Sequence, residues 1–191
     1  YAASPAILVF SLPPQCVPAA PHSKVPVMTT SDMTAIRVEH DLIGDRDVPA
    51  AAYYGVHTLR AVENFPITGQ TLKESAELIA SLAAIKQAAA EANVSLSLLD
   101  QERADAIVAA CIEIRDGALH DHFVVDLIQG GAGTSTNMNA NEVIANRALE
   151  ILGHRRGEYQ HLHPNEHVNL SQSTNDVYPT ALKLAAWIGV H

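Results

Sequence analysis

Gln129-Gly-Gly-Ala-Gly-Thr-Ser-Thr-Asn-Met-Asn-Ala-Asn-Glu142 packs three glycines, two threonines, a serine and three asparagines into fourteen positions, then opens into a helical pattern. Glycines permit turns closed to other residues and let a ligand approach the main chain. The hydroxyls and amides add neutral donors. Asn139 to Glu142 has the Asx-x-x-Glu form of a helix start, whose first N–H groups lack helical partners and point outward. Such an end suits an anion, and neutral donors around it suit a carboxylate. Taken alone, the stretch is equally well read as a polar loop running into a helix cap.

A second stretch repeats the chemistry. Leu170-Ser-Gln-Ser-Thr-Asn-Asp-Val-Tyr-Pro-Thr180 contains Ser173-Thr-Asn-Asp176, a capping-box start, with Ser171, Ser173, Thr174 and Asn175 grouped at a helix end. Ala181 to Ile188 continues as an apolar helix that reaches His191 with no cap or stop signal, so the chain reads as cut. Two such clusters without an adjacent acid/base pair point to carboxylate recognition through neutral hydrogen bonds. No P-loop, nucleotide fingerprint or local Ser-His-Asp motif accompanies them.

The remaining sequence supplies scaffold. The 191 residues are 48% hydrophobic, 17% charged and 5% aromatic, and alanine is abundant, which favours helices over sheet. A formal charge of −9 with no basic run argues against a nucleic-acid surface. No apolar run is long enough to span a membrane. Cys16 and Cys111 suggest no disulfide framework, which fits a reducing cytoplasm, and Cys111 reads as a buried thiol on a helix. Residues 1–32 read as an extension outside the fold.

Ile36 to Pro49 alternates weakly and suggests a hairpin turning at Gly44-Asp45. Tyr53, Tyr54, His57 and Arg60 could line a site or pack a loop and short helix. Residues 72–93 read as a helix with Leu78, Leu82, Ile85 and Ala89 inward and Lys73, Glu77, Lys86 and Glu91 outward. A second helix starts at Asp100, carries Ile107, Cys111 and Ile114, and stops near Gly117. Both read as core without chemistry. The His120-Asp-His122 pair reads as surface. A helix over about residues 140–152, striped by Ile144, Ala148, Leu149 and Leu152, ends at Gly153. His161, His163 and His167 fit no common zinc spacing, and Pro164 prevents one helix face from presenting all three, so no metal site is expected.

On these residues the chain resembles the aspartase/fumarase superfamily. The resemblance runs from about Arg37 onward, through Asp47-Val-Pro-Ala, Tyr53–Phe65, Gln129–Glu142 and His163-Pro-Asn-Glu-His-Val-Asn-Leu-Ser-Gln-Ser-Thr-Asn-Asp176. Gly131-Ala-Gly-Thr134 and Ser173-Thr-Asn-Asp176 take the aspartase form, where class II fumarases look like Gly-Ser-Gly-Thr and Ser-Ser-Asn-Asp. The resemblance implies a mostly α fold: residues 33–173 as the N-terminal domain and 174–191 as the start of a central helical bundle.

It also implies reversible loss of ammonia from L-aspartate to give fumarate through an aci-carboxylate, with no cofactor. Thr134, Ser173, Thr174 and Asn175 are expected to bind the substrate. His163, Asn165 and Glu166 match a second anion site, with Glu166 departing from the more usual Asp. The serine base of the family lies in a region past residue 191, so no catalytic base is expected here. In the family, sites are shared among subunits of a homotetramer, and this chain alone is expected to be inactive. The alternatives are a class II fumarase and a non-catalytic helical remnant.

Overall fold

A computed structural model describes residues 35–129 and 131–191; the expectations for residues 1–32 and Cys16 fall outside these. Strands β1 (Ile36–Asp41) and β2 (Gly44–Pro49) pair antiparallel, from Ile36 opposite Pro49 to Asp41 opposite Gly44. The turn is Leu42-Ile43, not Gly44-Asp45. Asp41 Oδ1 accepts from the Ile43 N–H at 2.8 Å, and Arg60 binds both Asp41 and the Gly44 carbonyl, which fixes the turn two residues early.

Five helices follow: α1 (Val56–Asn64), α2 (Ala76–Ser95), α3 (Gln101–Arg115), α4 (Thr134–Ile151) and α5 (Thr174–Val190). Leu72–Glu74 is a separate 3₁₀ turn before α2, so the helix expected from residue 72 begins at Ala76. Asp100 caps α3 by accepting from the Arg103 N–H at 3.0 Å. Helix α3 ends at Arg115, and Gly117 takes the positive φ of +97° that turns the chain away.

Helices α2 and α3 fold back on each other, and α4 packs against α1, α2, α3 and α5. The core is built from Ile79, Leu82, Ile107, Ile114, Phe123, Ile144, Leu149 and Leu162. Full burial of such side chains contributes roughly 1.5–3 kcal/mol each. Cys111 is buried among them as a free thiol, as its apolar neighbours predict, and burial pushes it up to about 12.

Helix α4 departs from the sequence reading. It begins at Thr134, earlier than the Asn139 start, and it is buried nearly all round instead of along one stripe. Asn139, Asn141, Glu142, Asn146 and Arg147 are therefore interior residues that reach polar partners on other segments. The helix closes as expected at Gly153: its N–H bonds Glu150 O and the His154 N–H bonds Leu149 O, the pairing of a Schellman end.

Candidate functional site

Helix α4 has no side-chain cap; Gly133 stands at its N-cap with φ +84°. Glycine is required there twice over. A Cβ would be strained at that φ and would collide with the ring of Tyr178 on α5. The loop before the helix is closed by Gln129, whose amide donates to Thr136 Oγ1 at 2.7 Å and accepts from the Thr136 N–H at 3.1 Å. Thr134 is exposed, at the edge of an open cavity of about 400 Å³ that His57, Arg60, Asp41, Ser135 and Met138 also line.

Helix α5 starts as the capping box predicts. Ser173 Oγ accepts from the Asn175 N–H at 3.2 Å, and the Ser173 N–H donates to Asp176 Oδ1 at 3.2 Å. Ser173 and Asn175 are exposed and Thr174 is half-buried. The two helix starts meet. Gly133 presses on Tyr178, and Asn137 in the first turns of α4 donates to Thr174 Oγ1 at 3.2 Å. The positive ends of two helix dipoles thus lie side by side, with hydroxyl and amide side chains between them.

Beneath this junction lies a buried polar cluster. Lys86, read as a solvent-facing residue of α2, is completely buried. Its Nζ donates to Asn169 Oδ1 at 2.7 Å and to Gln172 Oε1 at 3.0 Å. The segment ahead of α5 covers the α2 face that periodicity assigned to solvent. Burial depresses the Lys86 ammonium to about 7.

On the other side of the cavity, two buried carboxylates converge on the start of α1. Glu142 accepts from the N–H groups of Gly55, His57 and Thr58 at 2.8, 2.9 and 3.1 Å, and Glu39 accepts from Val56 at 2.8 Å. Negative charge at a helix N-terminus is stabilising, and here it is supplied by neighbouring segments. Gly55 is needed because a Cβ would fall 2.6 Å from Glu39 Oε2 and 2.9 Å from Glu142 Cδ. Glu142 Oε1 lies 3.1 Å from His57 Nδ1, and this hydrogen bond raises the His57 pKa. Burial raises Glu39, although Arg37 opposes it. Glu142 is thus no part of an outward-facing helix start: it caps α1.

Of the four residues singled out near the hairpin, His57 and Arg60 face the cavity. Arg60 is held by Asp41 at 2.7 and 2.9 Å, and the guanidinium draws the Asp41 carboxyl down to about 2. Tyr53 is sealed in, donating to Glu150 at 2.7 Å beneath the Arg156 guanidinium. Tyr54 is half-buried beside the core.

His163 caps the π-helical turn Pro164–Val168, where a loop was expected. Its Nδ1 accepts from the N–H groups of Asn165 and Glu166 at 3.1 and 3.2 Å. Burial lowers the His163 pKa, which favours the neutral ring these bonds require. The Asn165 and Glu166 side chains are exposed. His167 Nδ1 accepts from the His163 N–H at 2.7 Å, so neither ring is arranged as a metal ligand through Nδ1. His120 and His122 bond elsewhere, to Ile114 O and the Tyr53 N–H.

Among the described residues, one group brings three candidate metal ligands together: His154, Glu158 and His161, with ligand atoms within 4.8 Å of one another. Its two imidazoles are stacked, 3.8 Å apart and 4° from parallel. Their in-plane lone pairs cannot converge on one ion without turning a ring.

Comparison with known proteins identifies the family. A lyase family model matches residues 44–191. The aspartate ammonia-lyase of Pseudomonas fluorescens is 54% identical over 163 residues, 85% of this chain and 34% of that protein. That of Bacillus subtilis is 58% identical over 149 residues, 78% of this chain and 31% of the other. Among solved structures, the fumarate lyase:delta crystallin of Brucella melitensis in native form superposes with a TM-score of 0.80 at 58% identity. It covers 81% of this chain, which spans 36% of its own. A class II fumarase from Schistosoma mansoni gives 0.74 at 41% identity, over 79% of this chain and 32% of its own. This chain spans about a third of the length of the curated relatives it matches. With the family model covering most of its length and relatives above half identity on the same residues, the chain belongs to the aspartase/fumarase lyase superfamily.

Proposed function

We propose that this chain contributes two walls of a dicarboxylate site in an ammonia-lyase that converts L-aspartate to fumarate. The observation that carries the reading is the junction of the α4 and α5 starts, joined from Asn137 to Thr174, with Thr134 and Asn175 exposed. Thr134 binds one carboxylate from the first wall. Ser173, Thr174 and Asn175 bind from the second, Asn175 also serving the amino group. Loss of a proton from carbon 3 places a second negative charge on the adjoining carboxylate. Preorganised neutral donors hold that charge without quenching it in the ground state. The base is supplied from outside this chain, as are the remaining walls.

One feature supports assembly with other copies. Helix α5 exposes Leu182, Trp187, Ile188 and Val190, an apolar load suited to a helical bundle in a homotetramer. In this reading residues 33–173 form the N-terminal domain and 174–191 begin the bundle. His163, Asn165 and Glu166 form a second anion site, with the Asn165 and Glu166 side chains exposed. No helix among the described residues is long and apolar enough to cross a membrane.

The motif Gly131-Ala-Gly-Thr134 and the aspartate ammonia-lyase relatives favour aspartate over malate. Assaying the whole protein for fumarate production from each substrate tests this. Release from L-aspartate alone supports the reading; release from malate alone transfers the site to a fumarase.

A further inference from the structure

Among the described residues, Lys86 of α2 is a fully buried cation whose hydrogen bonds reach the segment leading into the second helix start. Lys86 Nζ reaches Asn169 Oδ1 and Gln172 Oε1, both on the segment that leads into Ser173, Thr174 and Asn175. The same Asn169 Oδ1 accepts from Asn137 Nδ2 at 3.1 Å and Asn141 Nδ2 at 3.3 Å, both on α4. Asn137 Nδ2 in turn reaches Thr174 Oγ1. Asn169 Nδ2 donates to Gln172 O, and Gln172 Nε2 donates to Val168 O and Leu170 O. One carboxamide oxygen thus gathers an ammonium from α2 and two amides from α4.

Burying a lysine completely without a carboxylate bonded to it is costly, and an apolar side chain would fill the space at less cost. Its hydrogen bonds therefore need a use. Asp176 on α5 is the acidic group whose field favours its charged form, and among the described residues no ion pair joins the two.

We infer that Lys86 is a positioning residue for the proposed dicarboxylate site: it pins the segment Asn169–Asn175 against α4, so that Thr174 is held beside the start of the first wall. Its relevance to substrate rests on the reading given above, but the pinning itself does not.

Replacing Lys86 with methionine keeps the length and removes the donors. Amide hydrogen exchange, thermal unfolding and fumarate titration are followed in the whole protein and in its Lys86→Met variant. Exchange at Gln172, Asp176 and Val177, whose N–H groups bond within this segment, is expected to quicken at least tenfold. The α3 interior is expected to stay within twofold, and the melting temperature not to fall. A lysine that only fills space would move stability without this local pattern. Exchange within twofold throughout overturns the inference, as does loss of protection spread evenly over the helices.

Should Lys86→Met not fold, Gln172→Met removes one of the two acceptors at a less buried position. The same local quickening supports the pinning and its absence overturns it. The fumarate titration separates the two readings. Local quickening with no fumarate bound by either form leaves the pinning standing and counts against the dicarboxylate site. Fumarate bound by the unmodified protein, and as tightly by a folded Lys86→Met with unchanged exchange, retains the site and overturns the role of Lys86.

Discussion

Asn137 of α4 donates to Thr174 Oγ1 of α5 at 3.2 Å, and this bond joins two sequence motifs 37 residues apart. Each motif alone is a helix start with hydroxyls. Side by side they become a surface with two helix N-termini and exposed Thr134, Ser173 and Asn175.

Close approach of those starts depends on Gly133. Gly133→Ala is expected to cost about 2–4 kcal/mol, from the positive φ and the collision with Tyr178. Gly153→Ala is the control: its φ is +83° but nothing lies within 4 Å of the added Cβ, so only about 1 kcal/mol is expected. Urea denaturation of both variants measures the difference; equal losses would remove the packing contribution.

The Ser173 cap is expected to contribute about 1 kcal/mol, so Ser173→Ala should lower stability by that amount. A cap acts on its own helix. Exchange should therefore quicken first at the amides of Asn175 and Asp176, and unchanged exchange there would show the box is not formed in solution.

Glu142→Gln keeps the volume but removes the charge that the α1 start and His57 share. It should cost about 1–3 kcal/mol and return His57 toward its ordinary value, followed by NMR titration. The sign follows from the raised His57 pKa. Its stabilisation is complete below the unfolded value of about 6.5 and is lost as pH rises through the folded value. Glu142→Gln should flatten stability over that interval. An unchanged His57 titration would contradict the pairing.

Lys86 gives the opposite trend. A lysine at about 7 in the folded chain, against roughly 10.4 unfolded, leaves the native state with fewer protons between those values. Stability contributed by this group therefore rises with pH across that window, on the order of 2 kcal/mol from pH 7 to 9. The comparison with Lys86→Met isolates it: the difference in stability between the two chains should shrink or reverse as pH rises. A constant difference would place the lysine's charge in water.

Local chemistry made the cap of α3, the capping box of α5 and the Gly153 stop legible, because each depends on residues within one turn. The start of α4 was not. Asn139 to Glu142 has the letters of a cap, yet Asn139 bonds His122 O and Glu142 bonds α1, partners that no local window contains. Lys86 was misread for a related reason. Period 3.6 assigns a polar face to water, and only the fold reveals that the segment before α5 covers it. The separation of His161 from His163 and His167 also emerged in three dimensions, where His161 stacks on His154.

The most direct measurement is steady-state release of ammonia from L-aspartate by the whole protein carrying Thr134→Ala or Asn175→Ala. Thr134→Ala is expected to raise the apparent KM about tenfold, the size of one lost carboxylate hydrogen bond. Asn175→Ala is expected to lower kcat on the order of a hundredfold, as the loss of a transition-state donor does. Near-normal kinetics in both variants would contradict the assignment of these two helix starts as the walls of the site.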